Sequence, residues 1–215
     1  MSKIILDFGS GNTCRNDKEI IDRMIDELEK IDTHKHEIII KWQLFEKAGG
    51  NVPLSWSSFG CAYSYAMKYG YKTTASIFDS FSLKFLLDFD VPFIKIANRR
   101  DLDWLIGEVP RKVPVYVSYS NAVELFNSEL SYSKCAMLCV SKYPAKIEEY
   151  EESIKRFANE TGIPFGFPIS DHTVGLDLFK KYQPRIWEKH FKLSNSTGLD
   201  AGPFAITPEE LKEIL

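Results

Sequence analysis

The sequence predicts a (β/α)8 TIM barrel, compact and with shortened helices. Two observations carry this: eight short runs rich in apolar and β-branched residues recur along the 215 residues, and apolar residues return at helical spacing between them. Strands alternating with helices imply parallel βαβ units, and eight such units suggest a closed barrel rather than an open doubly wound sheet, which is kept as the alternative. The length is near the low end for a barrel that typically takes about 250 residues, hence the short helices. No internal repeat, low-complexity segment or Pro/Ser-rich linker divides the chain, so a single domain over 1–215 is expected.

In order, the runs are KIILDFG (3–9), EIIIKWQLF (37–45), YKTTASIF (71–78), FIKIAN (93–98), PVYVSYS (114–120), CAMLCVS (135–141), PFGFPIS (164–170) and RIWEKHF (185–191). After the first, Ile20, Ile21, Met24, Ile25, Leu28 and Ile31 follow a helical period opposite a charged face, with Asn16 as the N-cap. Residues 46–70 hold the loop AGGNVPLSWSS and one helix, whereas 99–107 and 121–130 leave room for a turn or two each. Ile147, Tyr150, Ile154 and Phe157 mark another helix, which Gly162 ends.

Composition excludes several functions. With 44% hydrophobic and 27% charged residues, a net charge of −3 and a pI of about 5.9, the chain has no basic field for nucleic acid. MSKIILDFGSGN carries no signal-peptide pattern, and no apolar run approaches the ~20 residues of a membrane span, so no membrane association and a cytoplasmic location are expected. Cys14, Cys61, Cys135 and Cys139 lack CxxC spacing and are expected to be reduced.

Reactive groups of such a barrel sit at the C-terminal ends of its strands. The runs end or are interrupted there by Asp7, Lys41 and Gln43, Ser76 and Asp79, Lys95 and Asn98, Ser118 and Ser120, Ser141 and Tyr143, Ser170 with Asp171 and His172, and Glu188 and His190. Residues two apart on a strand share a side, so Lys41 goes with Gln43 and Glu188 with His190. The outer side meets the helices, where a lysine is costly, so Lys41 and Lys95 are expected to point inward. There they either await an anionic ligand or pair with Asp7 and Glu188. His172 and His190 end adjacent strands, and two imidazoles with oxygen ligands suit a divalent metal such as Mn²⁺ or Zn²⁺. His34 and His36, in the polar THKHE stretch, read as structural.

Taken together, KWQLF (41–45), SIFD (76–79), IKIAN (94–98), CVSKYP (139–144), SDHTVG (170–175), EKHFKL (188–193) and TPEEL (207–211) resemble the sialic acid synthase family, the makers of N-acetylneuraminate and related nonulosonic acids. The resemblance implies a transferase that condenses phosphoenolpyruvate with an N-acetylmannosamine-like aldose, aided by a divalent metal, Mn²⁺ first with Mg²⁺ and Co²⁺ as alternatives. By motif, His172 and His190 match the metal-binding histidines. Lys41, Ser76, Lys95, Ser141 and Ser170 match positions that hold phosphoenolpyruvate, and Asp7, Gln43 and Tyr143 match positions that line the sugar site or support its chemistry. Asn98 stands where the family has a serine and keeps a hydrogen-bond donor. Arg100 stands where it has a glutamate, and is expected to offer the sugar a positive group.

A C-terminal antifreeze-like domain of the family's kind is expected to be absent, and with it the swapped dimer, so a monomer or a non-swapped dimer is expected. The alternatives are a non-catalytic relative that binds phosphoenolpyruvate or sugar, and a partial enzyme completed by a separate antifreeze-like subunit.

Overall fold

Strands β1 (Lys3–Asp7), β2 (Glu37–Leu44), β3 (Lys72–Ile77), β4 (Ile94–Ile96), β5 (Val115–Tyr119), β6 (Lys134–Cys139), β7 (Ile169–Asp171) and β8 (Ile186–His190) pair in sequence order and close, β8 on β1, into an all-parallel barrel. This is a computed structural model, and it describes residues 2–47, 49–120, 134–161 and 166–215. All eight expected strands form, each shorter than or equal to its apolar run. The seventh strand covers Ile169–Asp171, starting near the end of its run and reaching one residue past it. The 121–130 connection and the Gly162 stop signal lie outside the described residues. No helix among the described residues is long and apolar enough to cross a membrane.

Period-two alternation sorts the strand residues into two layers. Ile4, Leu6, Ile38, Ile40, Trp42, Leu44 and Trp187 face outward and pack under the helices. Ile5, Ile39, Phe93 and Met137 face inward and plug the barrel, with Phe93 stacked on Tyr116 at 4.0 Å. Above this plug the inward positions turn polar, which places the site at the C-terminal mouth.

The first long helix, Lys18–Glu29, buries Ile21, Met24, Ile25 and Leu28 as the period requires. Its N-cap is Asp17, not Asn16: the Asp17 carboxylate accepts from Glu19 N at 2.8 Å. Asn16 has a positive φ of 54° and instead ties this turn to the next loop, bonding Ser55 N and Pro53 O. One loop and one helix, Trp56–Lys68, follow β2 as expected. The short 99–107 connection holds one 3-10 turn, Arg100–Leu102, and one helical turn, Leu105–Glu108. Ile147–Thr161 forms the helix after β6.

TPEEL (207–211) forms the helical turn Pro208–Leu211, closed by a full capping box between Thr207 and Glu210. Thr207→Ala is expected to cost about 1 kcal/mol, read as a loss of a few degrees in thermal melting. An unchanged melting point would show that the turn is held by Leu211 packing alone.

A third buried lysine of the strands points the other way from Lys41 and Lys95. Lys189, between the inward Glu188 and His190, faces the helices and is fully buried. It is tolerated because its ammonium donates to Thr173 O at 2.6 Å and sits 3.2 Å from the Asp171 carboxylate. Asp171 in turn accepts from Thr173 N, Thr173 Oγ1 and Trp187 Nε1. The SDHT and EKHF segments are therefore laced together behind the barrel wall, one residue before each histidine.

Candidate functional site

The C-terminal mouth opens into a cavity of about 530 Å³. Asp7, Lys41, Gln43, Ser76, Lys95, Asn98, Ser141, Tyr143, Ser170, His172 and His190, all expected in the site, line it. Arg100 does not. Its guanidinium donates to Ser118 O at 2.6 Å, pairs with Asp103 at 3.3 Å and lies 4.3 Å from the centre of the Tyr119 ring, so its charge is engaged beside the barrel wall. The exposed neighbour Arg99 reaches the rim instead.

Charge is arranged in pairs at the cavity floor. Lys41 Nζ donates to Asp7 Oδ2 at 2.6 Å and to Ser76 Oγ at 2.9 Å. Lys95 Nζ donates to Ser118 Oγ at 2.7 Å and Ile96 O at 3.2 Å, and lies 3.7 Å from Glu188. Glu188 lies between the two lysines, 3.9 Å from Lys41, and accepts from Ser170 Oγ at 3.0 Å. Both lysines thus combine the two roles open to them: each has a carboxylate, and each borders the cavity.

Burial raises the Asp7 carboxyl, but the charges and hydrogen bonds of Lys41, His190 and Gly9 N outweigh it and hold the group well below the usual carboxylate range. Glu188 is lowered for the same reason, burial being overcome by Lys41 and Lys95. Lys41 is raised, since Asp7 and Glu188 outweigh its burial. Lys95 is lowered, because burial outweighs Glu188. Lys95 is therefore the cation with most to gain from an incoming anion.

His172 and His190 come together as their strand ends require, with ring centres 5.6 Å apart. His172 Nδ1 lies 2.8 Å from Val140 O. A carbonyl only accepts, so Nδ1 carries the proton and Nε2 keeps its lone pair. His190 Nδ1 is buried with no hydrogen-bond partner, and its Nε2 lies 3.8 Å from Asp7. The free Nε2 of His172 and the unpartnered Nδ1 of His190 offer two nitrogen ligands, which fit a divalent cation that takes its other ligands from water or substrate oxygens. No group of three His, Cys, Asp or Glu able to hold a metal occurs among the described residues. A closed zinc site of the structural kind does not fit. His34 and His36 lie elsewhere, the first beside Asp32 and the second against Ile214 O.

Tyr143 covers the pair, its ring 4.2 Å from that of His172 and 5.1 Å from Phe204. Phe204 also packs edge-on against His190 at 4.9 Å. It arrives from the segment after β8, as does Asp200, whose carboxylate accepts from Ser10 N and Oγ and from Gln43 Nε2. Gly9 permits this approach: it has a φ of +79°, and a Cβ there would stand 2.6 Å from Asp200 Cβ. Asp200 and Phe204 escape the sequence reading because they belong to no strand and no quoted motif. Ser118 and Glu188 were visible as strand-end polar residues, and their partners identify them as part of the floor. The four cysteines are free, and Cys139 lines the cavity.

The family model of the NeuB family matches residues 22–215. The pseudaminic acid synthase of Helicobacter pylori (strain ATCC 700392 / 26695) is 28% identical over 169 residues, which are 72% of this chain and 48% of that protein. The chain thus spans about half the length of the curated relative it matches. Among solved structures, the N-acetylneuraminic acid synthetase of Leptospira borgpetersenii serovar Hardjo-bovis, in complex with citrate, has a TM-score of 0.73 at 24% identity, over 98% of this chain and 80% of that one. A putative spore coat polysaccharide biosynthesis protein E from Chromobacterium violaceum ATCC 12472 has a TM-score of 0.79 at 17% identity, over 99% of this chain and 72% of that one. At these identities the structural likenesses show the barrel alone.

Proposed function

The chain belongs to the NeuB family, and from that premise we propose that it is a transferase making a nonulosonic acid from phosphoenolpyruvate and an N-acylated aldose of the N-acetylmannosamine kind. The observation that carries the reading is the convergence, in one cavity, of two buried ammonium groups, three buried serine hydroxyls and a pair of histidines.

Phosphoenolpyruvate brings a carboxylate and a phosphate. Lys41 and Lys95, with Ser76, Ser118 and Ser170, can hold them through charge-assisted hydrogen bonds, and Asn98, whose amide donates to both Ser120 and Ser141, leaves the Ser141 hydroxyl proton to extend the donor set toward the rim. Since burial destabilises the Lys95 ammonium, an anion beside it gains more there than in water. In the reaction, C3 of phosphoenolpyruvate bonds to the aldehyde carbon, the oxygen of water adds at C2, and phosphate leaves from C2. His172 and His190 would hold the divalent cation, Mn²⁺ in the first place, which supplies Lewis acidity toward the acceptor's carbonyl oxygen.

Asp7 is held ionised by Lys41 and is therefore a weak base. Its contribution is to orient Lys41 and Gln43, to which its Oδ2 is bonded at 2.6 and 3.0 Å. Gln43, Asp200, Tyr143 and Phe204 border the acceptor side, offering one amide, one carboxylate and two aromatic faces.

The test is phosphate release from phosphoenolpyruvate by the purified protein with Mn²⁺, across N-acetylated hexosamines and bacillosamine-type sugars. Release that requires both Mn²⁺ and one of these sugars is expected. Phosphoenolpyruvate binding without release under any acceptor would sink the catalytic reading and leave a binding protein.

A second reading, in which a separate antifreeze-like polypeptide completes the mouth, is favoured by the exposure of two cavity-lining apolar side chains, Leu199 at 66% and Tyr143 at 56%. Addition of such a polypeptide would then be needed for release, and activity of the chain alone would dismiss it.

A further inference from the structure

Tyr150 lies on the first turns of Ile147–Thr161, fully buried against Ile154, Phe167, Ile169 and Leu178. Such an apolar setting asks for a phenylalanine; the hydroxyl must be there for its bonds. It donates to Ser170 O and accepts from Val140 N at 3.2 Å and from His172 N at 3.1 Å. One proton and two lone pairs are all the group has, so it is saturated by three backbone groups at the ends of β6 and β7.

Val140 is also the residue whose carbonyl accepts from His172 Nδ1. The backbone of His172 and the nearer of the two groups that face its Nδ1, the Val140 carbonyl at 2.8 Å rather than Cys139 Sγ at 3.9 Å, are therefore referenced to one oxygen atom. From this we infer that Tyr150 is a positioning residue: its hydroxyl sets the direction and the tautomer of His172, keeping the proton on Nδ1 and the lone pair on Nε2. The geometry stands by itself, while its consequence for metal binding rests on the function proposed above.

The experiment uses protein labelled with ¹⁵N at its histidine side chains, metal-free and at alkaline pH, where imidazoles are neutral and their tautomers can be read by NMR. The parent should show His172 as a single Nδ1–H tautomer. Tyr150→Phe should turn it into a mixture, leave His190 unchanged, and weaken Mn²⁺ binding, followed by electron paramagnetic resonance, roughly 10-fold. An unaltered His172 spectrum in the variant would overturn the inference. Ile154→Ala loosens the same cluster but keeps the hydroxyl, and should leave the tautomer intact; an equal change there would assign the effect to packing and overturn it too.

If Tyr150→Phe does not fold, amide hydrogen exchange of the parent decides, with protection of the Val140 and His172 amides expected and rapid exchange contrary. A parent that shows the fixed tautomer yet binds no Mn²⁺ would remove the metal reading and leave the positioning role in place.

Discussion

His190→Ala is expected to lower sugar-dependent phosphate release by roughly 10³-fold, because a Lewis-acid contribution of several kcal/mol is lost and each ~1.4 kcal/mol is a factor of ten. The histidine is suited to such a test. It ends β8, its side chain is buried beside the cavity, and its Nδ1 has no partner within the protein. Its removal breaks no hydrogen bond of Nδ1 but opens space beside Phe204, so the variant should fold and melt a few degrees below the parent. Mn²⁺ binding should weaken together with activity, while phosphoenolpyruvate binding, placed on Lys41 and Lys95, should persist. Retained activity in the presence of a chelator, or a His190→Ala variant of parental rate, would rule out the paired-histidine site.

Asp7→Asn should act on stability more than on any other property. It leaves the Lys41 ammonium, 1% exposed, without the carboxylate 2.6 Å away, and breaking a buried pair in this way costs about 3–5 kcal/mol. Thermal melting should fall by roughly 10 °C. The pH dependence has a definite sign. Asp7 is depressed in the folded state, so its stabilisation is complete above the unfolded carboxylate value near 4 and is lost as pH falls from there toward the folded value. The parent and the variant should therefore converge on acidification, in urea unfolding followed from neutral pH downward. A gap that stays constant below pH ~4 would mean that Asp7 is not held ionised by Lys41.

Much of this site was legible because strands have a period of two. Lys41 with Gln43, and Glu188 with His190, had to share a face, and that face is the interior since the alternate residues Ile40, Trp42 and Trp187 belong under the helices. The same rule puts Lys189 on the outer side, where it lies, but says nothing of a partner on the next strand; the Asp171 register neighbour makes its burial tolerable. Asp200 and Phe204 were illegible for a related reason. Their positions follow from how a loop lies across the mouth, which no local pattern encodes. Arg100 failed through its neighbours Ser118, Tyr119 and Asp103, and Asn16 through a positive φ that one residue of displacement at a helix start conceals.

Asp7 and His190 are register partners across the seam where β8 closes on β1. Almost the whole chain separates them, and so large a loop closes slowly and late compared with the neighbour-to-neighbour pairings β1 to β2 or β5 to β6. The chemistry thus stands on the least local joint of the barrel. Lys41 meets Glu188 only when that seam is closed, so competence to bind the reactants is expected to appear with the non-local pairing of β8 on β1.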